Sequence, residues 1–254
     1  MPRDPDFSNL SHVAVIMDGN GRWAQQRSHL RVWGHIRGAQ VVSGIVQEAS
    51  DLGISELTLY AFSTENWARP INEVRTLFRL LEKFLLRERK RLIDNKVLFR
   101  VVGDISVLPV ETIELINELE NSTKNNRGLK LNFAFNYGGR KEIVETVNKI
   151  IAKNEKVTHE SIRDNLDLSE VDLLIRTGGE KRISNFLLWQ TAYSELYFSS
   201  TMWPDFTPEE FKVIIEEYRN RERRFGNISR TSCLEKSNLV AIKNKEIIAS
   251  LRGN

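Results

Sequence analysis

Short apolar runs alternate with helical patterns along most of the chain. In the clearest helical pattern, residues 72–94, apolar side chains recur at i, i+3, i+4 and i+7, with Arg and Glu between them. The predicted strands are His12–Met17, Leu57–Phe62, Val97–Val102, Leu129–Asn136, Val171–Arg176 and Glu195–Phe198. The predicted helices are Arg37–Asp51, 72–94, Pro109–Asn121, Arg140–Ala152 and Pro208–Arg219. This alternation predicts a single α/β domain, in which a central, mostly parallel β-sheet is flanked by helices on both faces.

The two ends of the chain lack this alternation. Residues 1–11 form a polar lead, and the polar tail 228–254 matches no motif that indicates a role. The predicted domain therefore covers residues 12–227. A chain of 254 residues is long enough for one such domain with a sizeable core.

No apolar stretch is long enough to suggest export or a membrane span. The run Val13–Met17 is too short for a signal-peptide core, and no segment approaches the ~20 apolar residues of a span. The single cysteine, Cys233, excludes an intramolecular disulfide and fits a reducing cytosol. We therefore expect a cytoplasmic protein that is soluble or, at most, peripheral at the inner face of the membrane. The net charge of +3 is too small to indicate a nucleic-acid partner.

Turn-rich, charged motifs follow four of the predicted strands. They are residues 18–23 after the first strand, 63–67 after the second, 137–140 after the fourth and 177–184 after the fifth. The carboxyl ends of parallel strands lie along one edge of a sheet, and ligands of open α/β sheets bind at that edge. We therefore expect the four motifs to converge on one cleft.

The residue types in this cleft suit phosphate groups. Gly19 and Gly21 let the backbone approach a ligand closely, and the helix start after them offers free N–H groups to an anion. Asp18, set among cations, stays ionised and suits a hard cation such as Mg²⁺. The arginines that can donate bidentate hydrogen bonds to phosphate oxygens are Arg22, Arg31, Arg69, Arg176 and Arg182.

Each of these features also has a purely structural interpretation. The sequence Asp18–Gly21 is often only a tight turn. Glu195 lies in an apolar setting, where a carboxylate needs a partner, and this slightly favours a functional role. The spacing of Gly19, Gly21 and Ala24 matches a dinucleotide fingerprint, but the unit runs to about 50 residues instead of ~30 and lacks the expected acidic residue. The aromatic and histidine residues that, taken singly, suggest packing are His12, Trp23, Trp33, His35 and Trp67.

Seven long motifs resemble those of the cis-prenyltransferase family, which includes the bacterial undecaprenyl diphosphate synthases. The motifs are residues 12–24, 59–67, 136–140, 175–180, 182–190, 203–206 and 221–226. They follow the order found in the family and extend over residues 12–227. The sequence departs from the family at Lys181, where histidine is common in bacterial members, so a proton-relay role at that position is in doubt.

The resemblance implies a role for most of the residues in the cleft. It makes Asp18 an essential Mg²⁺ ligand with Glu195 as a second ligand, and it assigns proton acceptance to Asn66. Because a carboxamide is a poor base, we assign Asn66 to orientation and leave proton removal to a diphosphate oxygen or a water. The residues implied for the allylic diphosphate are Gly19, Asn20, Gly21, Arg22, Trp23, Arg31 and His35. Those implied to line the same site are Ser63, Thr64, Glu65, Trp67 and Arg69, and those implied for isopentenyl diphosphate are Arg176, Arg182, Ile183 and Ser184.

The implied activity is a Mg²⁺-dependent transfer of prenyl groups. Isopentenyl diphosphate units would be added to an allylic diphosphate primer, with farnesyl diphosphate expected, to give a long-chain product such as undecaprenyl diphosphate, the lipid-carrier precursor for cell-wall synthesis. The implied assembly is a homodimer that contacts the membrane transiently for product release. Two alternatives stay open: an enzyme with a short product, and a non-catalytic partner subunit, which would lack Asp18 and its motif.

A growing product of this kind needs an apolar tunnel, because each buried CH₂ favours burial by about 0.8 kcal/mol. Leu129, Leu131, Phe133 and Phe135 share one face of the fourth predicted strand. Together with the helix over 72–94, this face is expected to form the tunnel wall. Since the carboxyl end of the strand lies near the chemistry, we expect Leu129 near the floor, where it would set the product length.

Overall fold

The computed structural model describes residues 10–221, and the described residues up to Arg219 belong to one compact unit. The strands are β1 His12–Ile16, β2 Glu56–Ser63, β3 Leu98–Val102, β4 Lys130–Tyr137, β5 Leu173–Arg176 and β6 Glu195–Phe198. The α-helices are α1 Asn20–Gln26, α2 Arg31–Asp51, α3 Ile71–Asp94, α4 Val110–Thr123, α5 Gly139–Ala152, α6 His159–Asn165 and α7 Pro208–Arg219. Short 3₁₀ turns span Thr64–Ala68, Ile105–Val107 and Trp203–Asp205.

All six strands form one parallel sheet in the order β3-β4-β2-β1-β5-β6. The central strand β1 is completely buried and lies between β2 and β5, with Val15 opposite both Leu59 and Ile175. Its residues are uniformly apolar after His12 because a central parallel strand is covered on both faces. The predicted single-domain α/β fold with a parallel sheet is confirmed, and the carboxyl ends of the strands share one edge.

Alternate residues of each strand enter cores on opposite faces of the sheet. Val13 and Val15 belong to the larger core, which contains the buried faces of α2, α3, α4 and α7. Ala14 and Ile16 belong to a smaller core, in which Phe186 covers the other face. The larger core borders the edge where the predicted cleft lies.

The start of α2 was predicted too late, and the helix expected after Gly21 was given no bounds from the sequence. The prediction began α2 at Arg37, whereas the helix begins at Arg31. Gly34 lowers the intrinsic helix propensity of this segment, but it also lets α1 approach closely, because a Cβ at Gly34 would lie 1.8 Å from the carbonyl oxygen of Asn20. Packing between α1 and α2 therefore determines this helix start.

Of the two limits of the predicted domain, only the lower one, at residue 12, lies within the described residues. Leu10, at the end of the predicted lead 1–11, is buried in the larger core. The predicted boundary at residue 227 and the tail 228–254 lie outside the part of the chain that the structure describes. Among residues 10–221, no helix combines the length and the apolarity that a membrane span requires.

Candidate active site

One cavity of about 610 Å³ lies at the carboxyl edge of the sheet, between α2, α3 and strands β1, β2 and β4. Its polar end is lined by side chains of Asp18, Asn20, Arg22, Arg31, His35, Ser63, Glu65, Asn66, Arg69, Arg176, Arg182, Ser184 and Asn185. Its other end is apolar and is lined by Val42, Leu77, Leu80, Leu81, Phe84, Phe133 and Phe135. The motifs that follow β1, β2 and β5 therefore meet in one cleft, as the sequence predicts, whereas the fourth predicted motif, residues 137–140 after β4, does not line it.

Asp18 is held at the polar end by two arginines and one backbone amide. Arg176 donates to its Oδ2 at 2.8 Å, the backbone N–H of Gly19 donates to its Oδ1 at 2.6 Å, and Arg22 lies 3.3 Å from Oδ2. Burial raises the pKa of Asp18, but the Arg176 and Gly19 hydrogen bonds and the charge of Arg22 outweigh burial and leave that pKa below its ordinary value. Asp18 is therefore ionised at neutral pH.

The turn between β1 and α1 requires a glycine. Gly19 has a φ of 103°, in the left-handed region that residues with a side chain rarely adopt. A Cβ on Gly19 would also lie 2.9 Å from the Cβ of Met202. The turn brings Asp18 under the loop after β5, where Arg176 is fixed.

Arg176 is almost fully buried and links the first motif to the loop after β5. Its second terminal nitrogen donates to the hydroxyl of Ser184 at 2.7 Å and to the carbonyl oxygen of Arg182. Its Nε has no hydrogen-bond partner among the described residues. A buried guanidinium with an unused N–H can serve an incoming anion.

Glu180 pairs with two arginines that line the cavity. One of its carboxylate oxygens lies 3.5 Å from Arg22, and the other accepts a hydrogen bond from Arg182. The resemblance implies that Arg22 binds the primer and Arg182 binds isopentenyl diphosphate. Glu180 thus connects the two implied diphosphate sites through one carboxylate.

Glu73 is a buried carboxylate that sequence reasoning missed. It lies 3.2 Å from Arg31, 3.1 Å from His35 and 3.0 Å from Arg69. The hydrogen bond with His35 is the largest cause that lowers the pKa of Glu73. Burial raises that pKa, the hydrogen bond from Arg31 lowers it further, and the pKa of Glu73 falls to about 2. The available signal was its position, because Glu73 precedes Leu77 by four residues on the apolar stripe of α3.

The turn after β2 is stabilised by a capping box. Asn66 accepts a hydrogen bond through Oδ1 from the backbone N–H of Ser63, and the Ser63 side chain accepts one in return. Glu65 accepts a hydrogen bond from Asn185 at 3.0 Å. The box fixes the Asn66 carboxamide on the cavity wall.

Four of the residues implied for substrate lie outside the cavity lining. Trp67 packs on Phe62 and Phe78 and donates through Nε1 to Asn136, so its role in the fold is packing. Trp23 lies under the guanidinium of Arg27, 4.3 Å from the ring centroid. The implied residues that do not line the cavity are Trp23, Thr64, Trp67 and Ile183.

The structure does not bring Glu195 to Asp18. Glu195 begins β6 and pairs with Leu173, whereas Phe198, three residues on, pairs with Arg176. At about 3.3 Å per residue, Glu195 lies about 10 Å along the strand from the edge where Asp18 sits. The described residues contain no cluster of three or more side chains that could hold a metal ion.

The apolar end of the cavity corrects the prediction for the tunnel floor. Phe133 and Phe135 line the cavity as expected, but Leu129 and Leu131 are buried in the core beyond it. Phe84 of α3 packs against Phe133, with 4.8 Å between ring centroids, at the apolar end of the cavity. All four residues belong to one core cluster, as their shared parity predicts, but only Phe133 and Phe135 line the cavity.

Fold and site together define an α/β protein in which a cationic cleft opens into an apolar chamber. The family described as "Putative undecaprenyl diphosphate synthase" matches residues 16–226. The chain belongs to this family, whose members are prenyltransferases of isoprenoid synthesis.

Relatives and solved structures agree with this assignment. An isoprenyl transferase of Aquifex aeolicus is 50% identical over 221 residues, covering 85% of this chain and 96% of that protein. An isoprenyl transferase of Clostridium acetobutylicum is 46% identical over 239 residues, covering 89% of this chain and 93% of that protein. The crystal structure of lavandulyl diphosphate synthase from Lavandula x intermedia, in complex with dimethylallyl diphosphate, superposes with a TM-score of 0.83 at 35% identity and covers 87% of this chain and 100% of that one. The crystal structure of a probable undecaprenyl diphosphate synthase from Campylobacter jejuni superposes with a TM-score of 0.75 at 41% identity. It covers 85% of this chain and 98% of that one.

Proposed function

We propose that the protein condenses isopentenyl diphosphate units with an allylic diphosphate primer, farnesyl diphosphate, to make a long-chain cis-polyprenyl diphosphate such as undecaprenyl diphosphate. The observation that carries the proposal is a single cavity with arginines and Asp18 at one end and an apolar chamber at the other. Such a cavity suits an amphiphile with a diphosphate head and a prenyl tail. In this role the product would serve as a lipid-carrier precursor for cell-wall synthesis, and the enzyme would act in the cytoplasm as a homodimer.

The test combines purified protein, farnesyl diphosphate, radiolabelled isopentenyl diphosphate and Mg²⁺, followed by sizing of the products. We expect label in products many five-carbon units longer than the primer. Absence of incorporation would contradict the proposal, and would favour a non-catalytic subunit. The presence of Asp18, Asn66 and Arg182 at the cavity argues against that alternative.

The cationic groups of the cleft stabilise the charge that develops during the reaction. Diphosphate leaves the allylic carbon, the double bond of isopentenyl diphosphate attacks that carbon, and a proton is lost from C2. Arg22, Arg31 and His35 line the cavity where the leaving diphosphate would lie, and their donors are fixed before the reaction. Arg176 and Ser184 are already bonded to each other, which orients the implied site for isopentenyl diphosphate.

The donor set fits Mg²⁺ bound mainly through substrate. Mg²⁺ is commonly held by one or two carboxylates, substrate phosphates and waters. Asp18 is ionised and stands among phosphate-binding groups, so it would hold the ion together with diphosphate oxygens. When bound, Mg²⁺ would neutralise charge on the diphosphate. The role of Glu195 as a second ligand stays a prediction.

Asn66 has the environment of an orienting group. A carboxamide accepts hydrogen bonds but is not a proton acceptor at neutral pH, and the Asn66 Oδ1 already receives the Ser63 N–H at 3.3 Å. We therefore infer that Asn66 positions the substrate through its NH₂ group. The proton from C2 then passes to a diphosphate oxygen or a water.

Arg182→Ala is expected to raise the KM for isopentenyl diphosphate by about ten- to a hundredfold, with little effect on the KM for the primer. Losing a hydrogen bond to a charged group removes roughly 1.5–3 kcal/mol of binding. Lys181→Ala is the matched control, because it removes the same charge from the adjacent exposed residue, which does not line the cavity. Steady-state kinetics with each substrate varied would measure both effects, and equal changes for the two substrates would exclude the assignment.

A short-chain product is the second candidate, and the size of the cavity favours it. The cavity of about 610 Å³ is the size of a site for one small ligand. Phe84 separates it from a small crevice near the far ends of α2 and α3, which Phe84, Gln47 and Leu92 line. A long product therefore requires the Phe84 side chain to move, whereas a short one does not.

Phe84→Ala is expected to shift the products to greater length by at least one five-carbon unit, with little change in the initial rate. The substitution opens the chamber toward the crevice, far from the diphosphate groups. Leu129→Ala is the control, because Leu129 is buried in the core but does not line the cavity. We expect Leu129→Ala to lose about 2–5 kcal/mol of stability and to leave the product distribution unchanged. Longer products from Leu129→Ala and not from Phe84→Ala would instead support the sequence-based prediction that Leu129 lies at the tunnel floor and sets the product length.

A further inference from the structure

Helix α3 has one face in the cavity and the opposite face exposed to solvent. Leu77, Leu80, Leu81 and Phe84 line the apolar chamber. At 100° per residue, the exposed residues on the opposite side of the helix lie within an arc of about 120°, and they are Ile71, Asn72, Arg75, Arg79, Lys83, Leu86, Arg89, Lys90 and Ile93. We call six of them the basic face of α3: Ile71, Arg75, Arg79, Lys83, Leu86 and Lys90.

The four cations of the basic face form no ion pair within the described residues. Arg75, Arg79, Lys83 and Lys90 form neither an ion pair nor a hydrogen bond through their side chains within the described residues. By contrast, Arg89, which lies in the same arc, pairs with Glu118. Glu82 is the only acidic residue of α3 within the arc, and it is partly buried. The four unpaired cations and Glu82 together carry +3, which equals the net charge of the whole chain.

Exposed apolar residues accompany these cations. Ile71 and Leu86 of the basic face are 58% and 57% exposed. Leu30 and Trp33, at the start of α2, are also exposed, and the intervening Arg31 bonds to Glu73 in the first turn of α3. Leu30 and Trp33 at the start of α2 and Ile71 at the start of α3 therefore lie near the polar end of the cavity, which Arg31 lines.

We propose that the basic face of α3 binds the surface of a bilayer that contains anionic lipids. Unpaired Lys and Arg attract anionic headgroups, and interspersed Ile71 and Leu86 can enter the headgroup region. The same helix then contacts the bilayer with one face and the chamber with the other. This inference rests on the proposed function for its purpose, since a polyprenyl product is delivered to a membrane. A nucleic-acid partner would use the cations but not the exposed apolar residues.

The test is sedimentation of the full-length protein with vesicles in the absence of substrate. Vesicles of phosphatidylcholine alone are compared with vesicles of phosphatidylcholine and phosphatidylglycerol at about 3:1. We expect binding only to the anionic vesicles, and weaker binding at higher salt because exposed charges are screened. The variant carrying Arg75→Gln, Arg79→Gln, Lys83→Gln and Lys90→Gln should bind at least about tenfold more weakly.

The matched control removes four exposed cations from other surfaces, through Lys124→Gln, Arg127→Gln, Lys156→Gln and Lys212→Gln. It should retain vesicle binding. Both quadruple variants should keep wild-type turnover with water-soluble substrates, because none of these residues lines the cavity. A second variant, Ile71→Ser with Leu86→Ser, tests the apolar contribution without any change of charge, and it too should bind more weakly.

Three results would overturn the inference: no binding of the wild type to anionic vesicles, an equal loss in the control variant, or displacement from vesicles by a duplex oligonucleotide at equal phosphate concentration. A change of oligomeric state in the basic-face variant alone, seen by sedimentation velocity, would assign the face to a second copy of the chain. Vesicle binding without turnover would contradict the proposed function and leave the membrane inference standing.

Discussion

Asp18→Ala is expected to lower kcat by about a hundred- to a thousandfold, the cost of removing one pre-placed electrostatic group, while the fold stays intact. Asp18 holds Arg176 and Arg22 in the cleft and is the carboxylate best placed for Mg²⁺. Its side chain is 30% exposed at the end of β1, so its removal leaves the core unchanged. Turnover at saturating Mg²⁺ and a thermal melt would measure the two effects separately.

A surface carboxylate provides the control for Asp18. Asp205 pairs with Arg27 at 2.9 Å outside the cavity, and Asp205→Ala should retain wild-type turnover. Asp18→Asn distinguishes charge from shape, because the amide keeps the size of the side chain but not its charge. Retention of more than about a tenth of wild-type activity in Asp18→Ala would argue against the metal role.

The position of the cleft could be predicted from the sequence because strand pattern and turn chemistry are local properties. The apolar run 13–16 predicts a buried strand, and Gly19 marks the turn after it. Once parallel strands are assigned, the carboxyl edge follows from topology. The residues that meet there, Asp18 and Arg176, are 158 positions apart and were predicted to share a cleft.

The boundaries and depth of the site depend on packing between helices, which the sequence pattern does not encode. The early start of α2 follows from the contact of Gly34 with α1. The contact of Arg31 with Glu73 joins residues 42 positions apart and depends on how α2 packs on α3. The contact of Phe84 with Phe133 likewise depends on the placement of α3 over β4, so periodicity predicted the face of Phe133 but not the depth of the chamber.

Glu73→Gln is expected to raise the KM for the primer by about tenfold and to lower the free energy of unfolding at pH 7 by about 1–3 kcal/mol. The carboxylate anchors Arg31, His35 and Arg69, and each of these lines the cavity. Truncating a buried partner of a charged hydrogen bond typically costs this amount. Arg31 and Arg69 are 45% and 32% exposed, so water compensates part of the loss and the cost stays below that of a fully buried pair. Glu82→Gln, on the same helix but outside the cavity, should change neither quantity.

The pH dependence of stability separates an ionised anchor from a simple packing role for Glu73. Its pKa falls from an ordinary 4.5 to about 2 in the folded protein, so its contribution to stability is complete above pH 4.5 and is lost as pH falls toward 2. The difference in free energy of unfolding between wild type and Glu73→Gln should therefore shrink as pH drops from 5 to about 2.5. Denaturant titrations across this range would show it. A difference that stays constant with pH would mean that Glu73 contributes shape and not charge, and that Arg31 and Arg69 are positioned by other contacts.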